Sequence, residues 1–194
     1  MIFDVGGVIT KTDFSDLYVN FAHAAGLDAD TFVDLHKQYF KPMVLGEVSF
    51  EKFLNTMGVI EKDKIRELKA MWIDEALKVV VVDEDLLRLI DALRDNFKTA
   101  ILTNLTESRL FVDERLDLYS HFDEVFLSYK EHLMKPDKAF YRVALKKLSI
   151  EPEEAIFVDD QERYIEAAKD LGMYGIAFKN TEQLKRELSI LGVI

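Results

Sequence analysis

From Val79 onward, short apolar runs alternate with helical patterns, and this alternation constrains the fold more than any other feature. Leu86, Leu87, Ile90 and Leu93 recur at helical spacing, and Thr99-Ala100-Ile101-Leu102-Thr103 then reads as a strand. Val125-Phe126-Leu127 is a second strand, Phe140 to Leu148 a helix opened by Pro136, and Ala155-Ile156-Phe157-Val158-Asp159 a third strand. Ile165 to Leu171 is a helix ending at Gly172, and Tyr174-Gly175-Ile176-Ala177 is a last strand. Near the start, Ile2-Phe3-Asp4-Val5 reads as a strand that feeds a tight loop at Gly6-Gly7. Strands separated by helices require right-handed crossovers. The predicted class is therefore α/β, with a doubly wound parallel sheet.

Between these parts, from about Thr12 to Ala76, the pattern is helical throughout. Phe14, Leu17, Tyr18, Phe21 and Ala25 share a face and end at Gly26. Phe32, Leu35, His36 and Tyr39 form a second face, which Pro42 is expected to close. Phe50, Phe53, Leu54 and Met57 follow Ser49 as N-cap and stop at Gly58, and Ile65, Leu68, Trp72 and Ile73 make a fourth face. Four helices without a strand predict a small all-α insertion after the first strand. The expected division is residues 1–11 and 78–194 as the α/β core and 12–77 as the helical unit.

Composition narrows the function. The 194 residues contain no cysteine, which excludes disulfides, thiolate metal sites and cysteine nucleophiles and permits a reducing cytosol. The formal charge of −11 disfavours nucleic acid and anionic lipid as partners, since both are held by clustered Lys and Arg. No apolar run approaches the ~20 residues of a membrane span, and Met-Ile-Phe-Asp does not resemble a signal peptide. The expectation is a soluble cytoplasmic protein. Oligomeric state is not legible.

Polar residues stand where the apolar strands stop: Asp4 after Ile-Phe, Thr103 after Ala-Ile-Leu, and Asp159-Asp160 after Ile-Phe-Val. In a parallel sheet all carboxyl ends lie along one edge, where ligands bind, so these groups are expected to converge. Lys135 precedes Pro136 in a connection on the same edge. Crowded carboxylates ionise together only beside a cation. Lys135 supplies one charge, and oxygen ligands of this kind suit Mg²⁺ and a substrate phosphate. A carboxylate in that setting is a competent nucleophile toward phosphorus. The Thr103 hydroxyl, the Gly6-Gly7 amides and Lys135 are placed to hold phosphoryl oxygens.

Phe3-Asp4-Val5-Gly6-Gly7-Val8-Ile9, Ile101-Leu102-Thr103-Asn104, Lys135-Pro136-Asp137 and Phe157-Val158-Asp159-Asp160 resemble, in order, the four motifs of the haloacid dehalogenase-like superfamily. The helical insertion resembles that superfamily's α-helical cap, and the core its Rossmann-like sheet. The resemblance implies a Mg²⁺-dependent phosphohydrolase of small phosphorylated metabolites, acting through an aspartyl-phosphate. It makes Asp4 the nucleophile and Lys135 its catalytic partner. It implies Gly6, Gly7, Thr103, Asn104 and Lys135 as phosphate-binding residues. Asp4, the Gly6 carbonyl, Asp160 and Asp159 are implied as the metal site.

Two positions depart from the pattern. Gly6 stands where phosphatases of the superfamily usually carry a second Asp as general acid and base, and Tyr164 stands where Asp or Asn is often found. Gly6 leaves three readings open. One is a phosphatase, among them those acting on sugar phosphates, whose leaving group needs little protonation. The others are a phosphate-binding protein without turnover and a metal-independent dehalogenase. His36, Tyr39 and Lys41 are candidates for the cap side of the cleft. The four histidines, His23, His36, His121 and His132, lack metal-ligand spacing and read as structural, and Trp72 reads as core.

Overall fold

Five short parallel strands form the sheet in a computed structural model that describes residues 1–194. The chain opens with β1 (Ile2–Phe3) and β2 (Thr10–Thr12), followed by α1 (Ser15–Ala24), α2 (Ala29–Val44), α3 (Phe50–Thr56) and α4 (Lys62–Val79). It continues with β3 (Val80–Val82), α5 (Glu84–Leu93), β4 (Ala100–Thr103), α6 (Glu107–Arg115), β5 (Glu124–Leu127) and α7 (Ser128–Glu131). The last elements are α8 (Lys138–Leu148), β6 (Ile156–Asp159), α9 (Glu162–Lys169), β7 (Tyr174–Ala177) and α10 (Thr181–Ile190). The strand order is β5-β4-β1-β6-β7, so β1 sits at the centre. Phe3 is level with Ile101 of β4 and Val158 of β6. The next residue, Asp4, therefore leaves the sheet between the ends of those two strands.

Alternation along the strands builds a core on each face. Phe3, Ile101, Val158 and Ile176 pack with Leu86 and Ile90 of α5 and Leu184 and Leu188 of α10. Ile2, Ala100, Leu102 and Phe157 pack with Phe140, Tyr141 and Ala144 of α8 and Ile165 and Ala168 of α9. Strands buried on both sides carry no polar residue until they end. That is why the polar groups collect at their carboxyl ends.

The expected first strand is shorter than its apolar run. Val5 already belongs to the loop, its carbonyl accepting from the Ile9 and Thr10 amides at 2.9 Å each. Asp4 keeps one sheet contact, its N–H donating to the Val158 carbonyl at 2.9 Å. Pro42 does not close its helix but lies inside α2, which runs to Val44. Proline forfeits a helical hydrogen bond. The buried Met43 and Val44 hold the last turn in place, and the Pro42 carbonyl caps it by accepting from Glu47 and Val48. Pro136 does not open α8 directly: Asp137 is the N-cap, accepting from the Ala139 amide at 2.8 Å.

The helices α1–α4 enclose a third cluster rich in aromatic rings, with Phe21 against the Trp72 ring at 5.0 Å and nearly perpendicular. Their join to the sheet is an antiparallel pair the sequence reading passed over, β2 with β3, in which Thr10 faces Val82 and Thr12 faces Val80. Helix α6 bridges the two parts: Val112 packs into the cluster of α1–α4 and Leu110 into the sheet core. Its Glu107 accepts from the Phe50 amide at 2.7 Å and from the Tyr129 hydroxyl at 3.1 Å. No helix is long and apolar enough to cross a membrane.

Candidate active site

Lys135 is wholly buried, and its ammonium lies 2.9 Å from Asp4 Oδ1 and 2.6 Å from Asp159 Oδ2. Burying an ammonium is costly unless charges and hydrogen bonds compensate it. Burial alone would lower its pKa, but the Asp4 and Asp159 carboxylates outweigh that and hold it above the ordinary lysine value. The Phe157 and Tyr164 rings flank it at 5.4 and 5.0 Å from their centroids. Tyr164 thus fills its unusual position as a wall for the lysine, with its hydroxyl accepting from Arg163 at 2.8 Å.

Asn104 fixes the backbone that carries this lysine. Its Nδ2 donates to the Lys135 carbonyl at 2.9 Å, and its Oδ1 accepts from the Lys135 N–H at 2.8 Å. The Asn104 side chain is therefore committed to positioning Lys135. Any contact of Asn104 with phosphate falls to its backbone. Thr103, the last residue of β4, is nearly fully buried beside it.

Asp4, Asp159 and Asp160 present carboxylate oxygens that all lie within 4.8 Å of one another. Asp159 is buried and its Oδ1 accepts from the Gln161 amide at 2.8 Å, while Asp160 is exposed. Burial pushes the Asp159 carboxyl up to about 7, and the neighbouring Asp4 adds to this while Lys135 opposes it. Burial, with Asp4 beside it, also raises Asp160. Three carboxylates against one lysine leave excess negative charge. Asp4 Oδ1 is buried and makes no hydrogen bond, only the 2.9 Å ion pair with Lys135. An all-oxygen group with an unmatched buried oxygen fits a hard divalent cation.

The two glycines play different parts. Gly7 has φ +80 and lies so close to Asp160 that a Cβ there would overlap the carboxylate. Its amide donates to the Thr10 carbonyl at 2.8 Å, which ties the loop back to β2. At Gly6 a Cβ would meet nothing within 4 Å. That open space adjoins a cavity of about 190 Å³ walled by Gly6, Thr103, Asn104, Tyr18, Trp72 and Arg109.

His36 stands in the cavity wall, its ring tilted against Tyr18 at 5.0 Å, with burial lowering its pKa to about 4. Lys41 borders a separate hollow beside Lys135, and Tyr39 lines neither. Trp72 serves as core and wall at once. His132 Nδ1 donates to the Leu45 carbonyl (2.8 Å), and His121 pairs with Asp91 (2.8 Å), neither in the carboxylate group. The residues missed in the sequence are Arg109 and Asp113 of α6, joined by a 2.6 Å hydrogen bond. Their spacing of four within a helix capped by Thr106 was the available signal.

A family model for haloacid dehalogenase-like hydrolases matches residues 1–172. The chain is 27% identical to the D-ribitol-5-phosphate phosphatase of Bacteroides thetaiotaomicron, a match covering 98% of this chain and 97% of that protein. It is also 27% identical to the phosphorylated carbohydrates phosphatase of Thermotoga maritima, covering 91% of this chain and 84% of that one. Among solved structures, an enzyme of the same family from Bacteroides thetaiotaomicron, in complex with magnesium and inorganic phosphate, superposes with a TM-score of 0.76. That pair is 20% identical, over 94% of this chain and 96% of the other.

Proposed function

This chain belongs to the haloacid dehalogenase-like hydrolases, and from that membership we propose that it is a magnesium-dependent phosphatase of a small phosphate monoester, a sugar or polyol phosphate. The observation that carries the reading is the buried Lys135 ammonium bridging Asp4 and Asp159, with Asp160 in the same carboxylate group. Relatives named as phosphatases of ribitol phosphate and of phosphorylated carbohydrates support the substrate class.

In this mechanism Asp4 attacks phosphorus in line with the departing ester oxygen, and water hydrolyses the resulting aspartyl-phosphate. Lys135 stays charged through both steps. It offsets negative charge on Asp4 and on the phosphoryl oxygens. The Thr103 hydroxyl, the Asn104 backbone and the Gly6-Gly7 loop orient those oxygens. Asp4, Asp160, Asp159 and the Gly6 carbonyl would hold Mg²⁺, which when bound supplies positive charge to nucleophile and phosphate alike. The four helices of residues 12–77 act as a cap that shuts water out of the cavity, hinged at the β2–β3 pair.

The test is phosphate release from p-nitrophenyl phosphate with magnesium and with a chelator. Release that needs magnesium and disappears in Asp4→Asn is the expected result. An Asp4→Asn protein as active as the native chain would remove the nucleophile from this scheme.

A further inference from the structure

Arg109 is the cationic wall of the cavity beside Asp4, and it is held from three sides. Its Nε donates to Asp113 Oδ1 at 2.6 Å, Nη2 to Thr10 Oγ1 at 2.7 Å and Nη1 to Thr12 Oγ1 at 3.3 Å. The Phe14 ring lies under the guanidinium at 6.0 Å. Asp113 is wholly buried, and its second oxygen accepts from the Tyr119 hydroxyl at 3.2 Å. A guanidinium has five N–H donors. Each terminal nitrogen of Arg109 therefore keeps one N–H that no protein group takes, on a side chain that borders the cavity. A planar fork mounted this rigidly loses little freedom when it binds a ligand.

The cavity is otherwise uncharged. Arg109 and Asp113 are its only charged walls, and they cancel one another. His36 is neutral at pH 7, since burial lowers its pKa to about 4. Phe14, Tyr18, Phe40 and Trp72 supply apolar ring surface. A second phosphate or a carboxylate on the substrate would find no net positive charge here to offset its desolvation. Uncharged oxygen atoms would find hydrogen-bond donors, and carbon would find rings. The volume of about 190 Å³ lies below the roughly 300–1,000 Å³ of sites for drug-sized ligands.

Resting on the phosphatase reading above, we propose that Arg109 is a specificity-determining residue that donates hydrogen bonds to hydroxyl oxygens of a small, uncharged polyhydroxy leaving group, with Asp113 as its positioning residue. Gly6, two positions after Asp4, and Thr103 wall the cavity, and the departing alcohol would sit there.

A matched three-carbon series tests this: glycerol 3-phosphate, propyl phosphate and 3-phosphoglycerate, each assayed with magnesium. The native protein is expected to favour glycerol 3-phosphate over propyl phosphate in kcat/KM by roughly tenfold or more, as loss of a hydrogen bond to a charged donor implies. It should disfavour 3-phosphoglycerate. Arg109→Gln made together with Asp113→Asn keeps the pair neutral and should bring the glycerol-to-propyl ratio close to one. Arg109→Lys, which keeps the charge and loses the fork, should lower the same ratio and guards against a double variant that fails to fold. Equal losses on glycerol and propyl esters, or a preference for 3-phosphoglycerate, would overturn the assignment. Hydrolysis of p-nitrophenyl phosphate with a flat three-carbon series sinks the Arg109 proposal alone. No release from any of these esters sinks the phosphatase reading with it.

Discussion

Asn104 and Lys135 exchange two hydrogen bonds, side-chain amide to backbone in both directions, at 2.9 and 2.8 Å. The pair ties the end of β4 to the segment that carries the buried ammonium between Asp4 and Asp159. Asn104→Ala removes both bonds and leaves the Lys135 backbone groups without these partners. Stability should fall by about 1–3 kcal/mol. On the proposed mechanism kcat should fall about tenfold or more, with KM less affected, because a lysine displaced by a fraction of an ångström serves the reacting group poorly. Thermal unfolding and steady-state kinetics read the two effects separately.

Asp159 makes metal-free stability depend on pH. Burial pushes its carboxyl up to about 7, above the ordinary value near ~3.9. The folded state therefore keeps a proton that the unfolded state has already released, and stability falls as pH rises from about 4 to about 7. With magnesium chelated, Tm should be higher at pH 5 than at pH 8, and Asp159→Asn should shrink the difference. An unchanged difference in that variant would assign the effect to other groups.

Gly6 leaves room for the side chain it lacks, since a Cβ there meets nothing within 4 Å. Gly6→Asp should fold normally and put a carboxyl beside the cavity proposed for the leaving group. General acids contribute roughly 10²–10⁴-fold where protonation limits the rate. Hydrolysis of alkyl phosphates should therefore rise at least about tenfold relative to p-nitrophenyl phosphate, whose leaving group departs without a proton. A parallel change on both esters would mean that protonation does not limit this enzyme.

Gly7 offers no such freedom. Its φ of +80 and its contact with Asp160 mean that Gly7→Ala strains the loop by about 1–3 kcal/mol and displaces a proposed metal ligand. The magnesium concentration for half-maximal activity should rise about tenfold or more. Titrating activity against magnesium, alongside a thermal melt, checks both parts.

The four motif segments were legible because each is a local pattern: an apolar strand that ends on a polar residue, or a lysine before proline. Asp4, Thr103, Lys135, Asp159 and Asp160 could be singled out on that basis. Pro42 and the second strand pair were misjudged or missed for the opposite reason. Burial of Met43 and Val44, and the pairing of Thr10 with Val82, depend on contacts that no short window contains.

By itself the sequence determined the five strands of the parallel sheet, most of the helices and which polar groups sit at strand ends, since periodicity and punctuation act over a few neighbouring residues. Only the tertiary structure decided that β1 lies between β4 and β6, and so that Asp4 meets Lys135 and Asp159. It alone turned Asn104 toward the lysine backbone and Tyr164 over its ammonium. It alone set Arg109 against Thr10, 99 positions earlier in the chain, in the wall of the cavity that Gly6 borders. Strand order and the direction of a long side chain follow from packing between distant segments. Neither is written in the spacing of the residues that carry them.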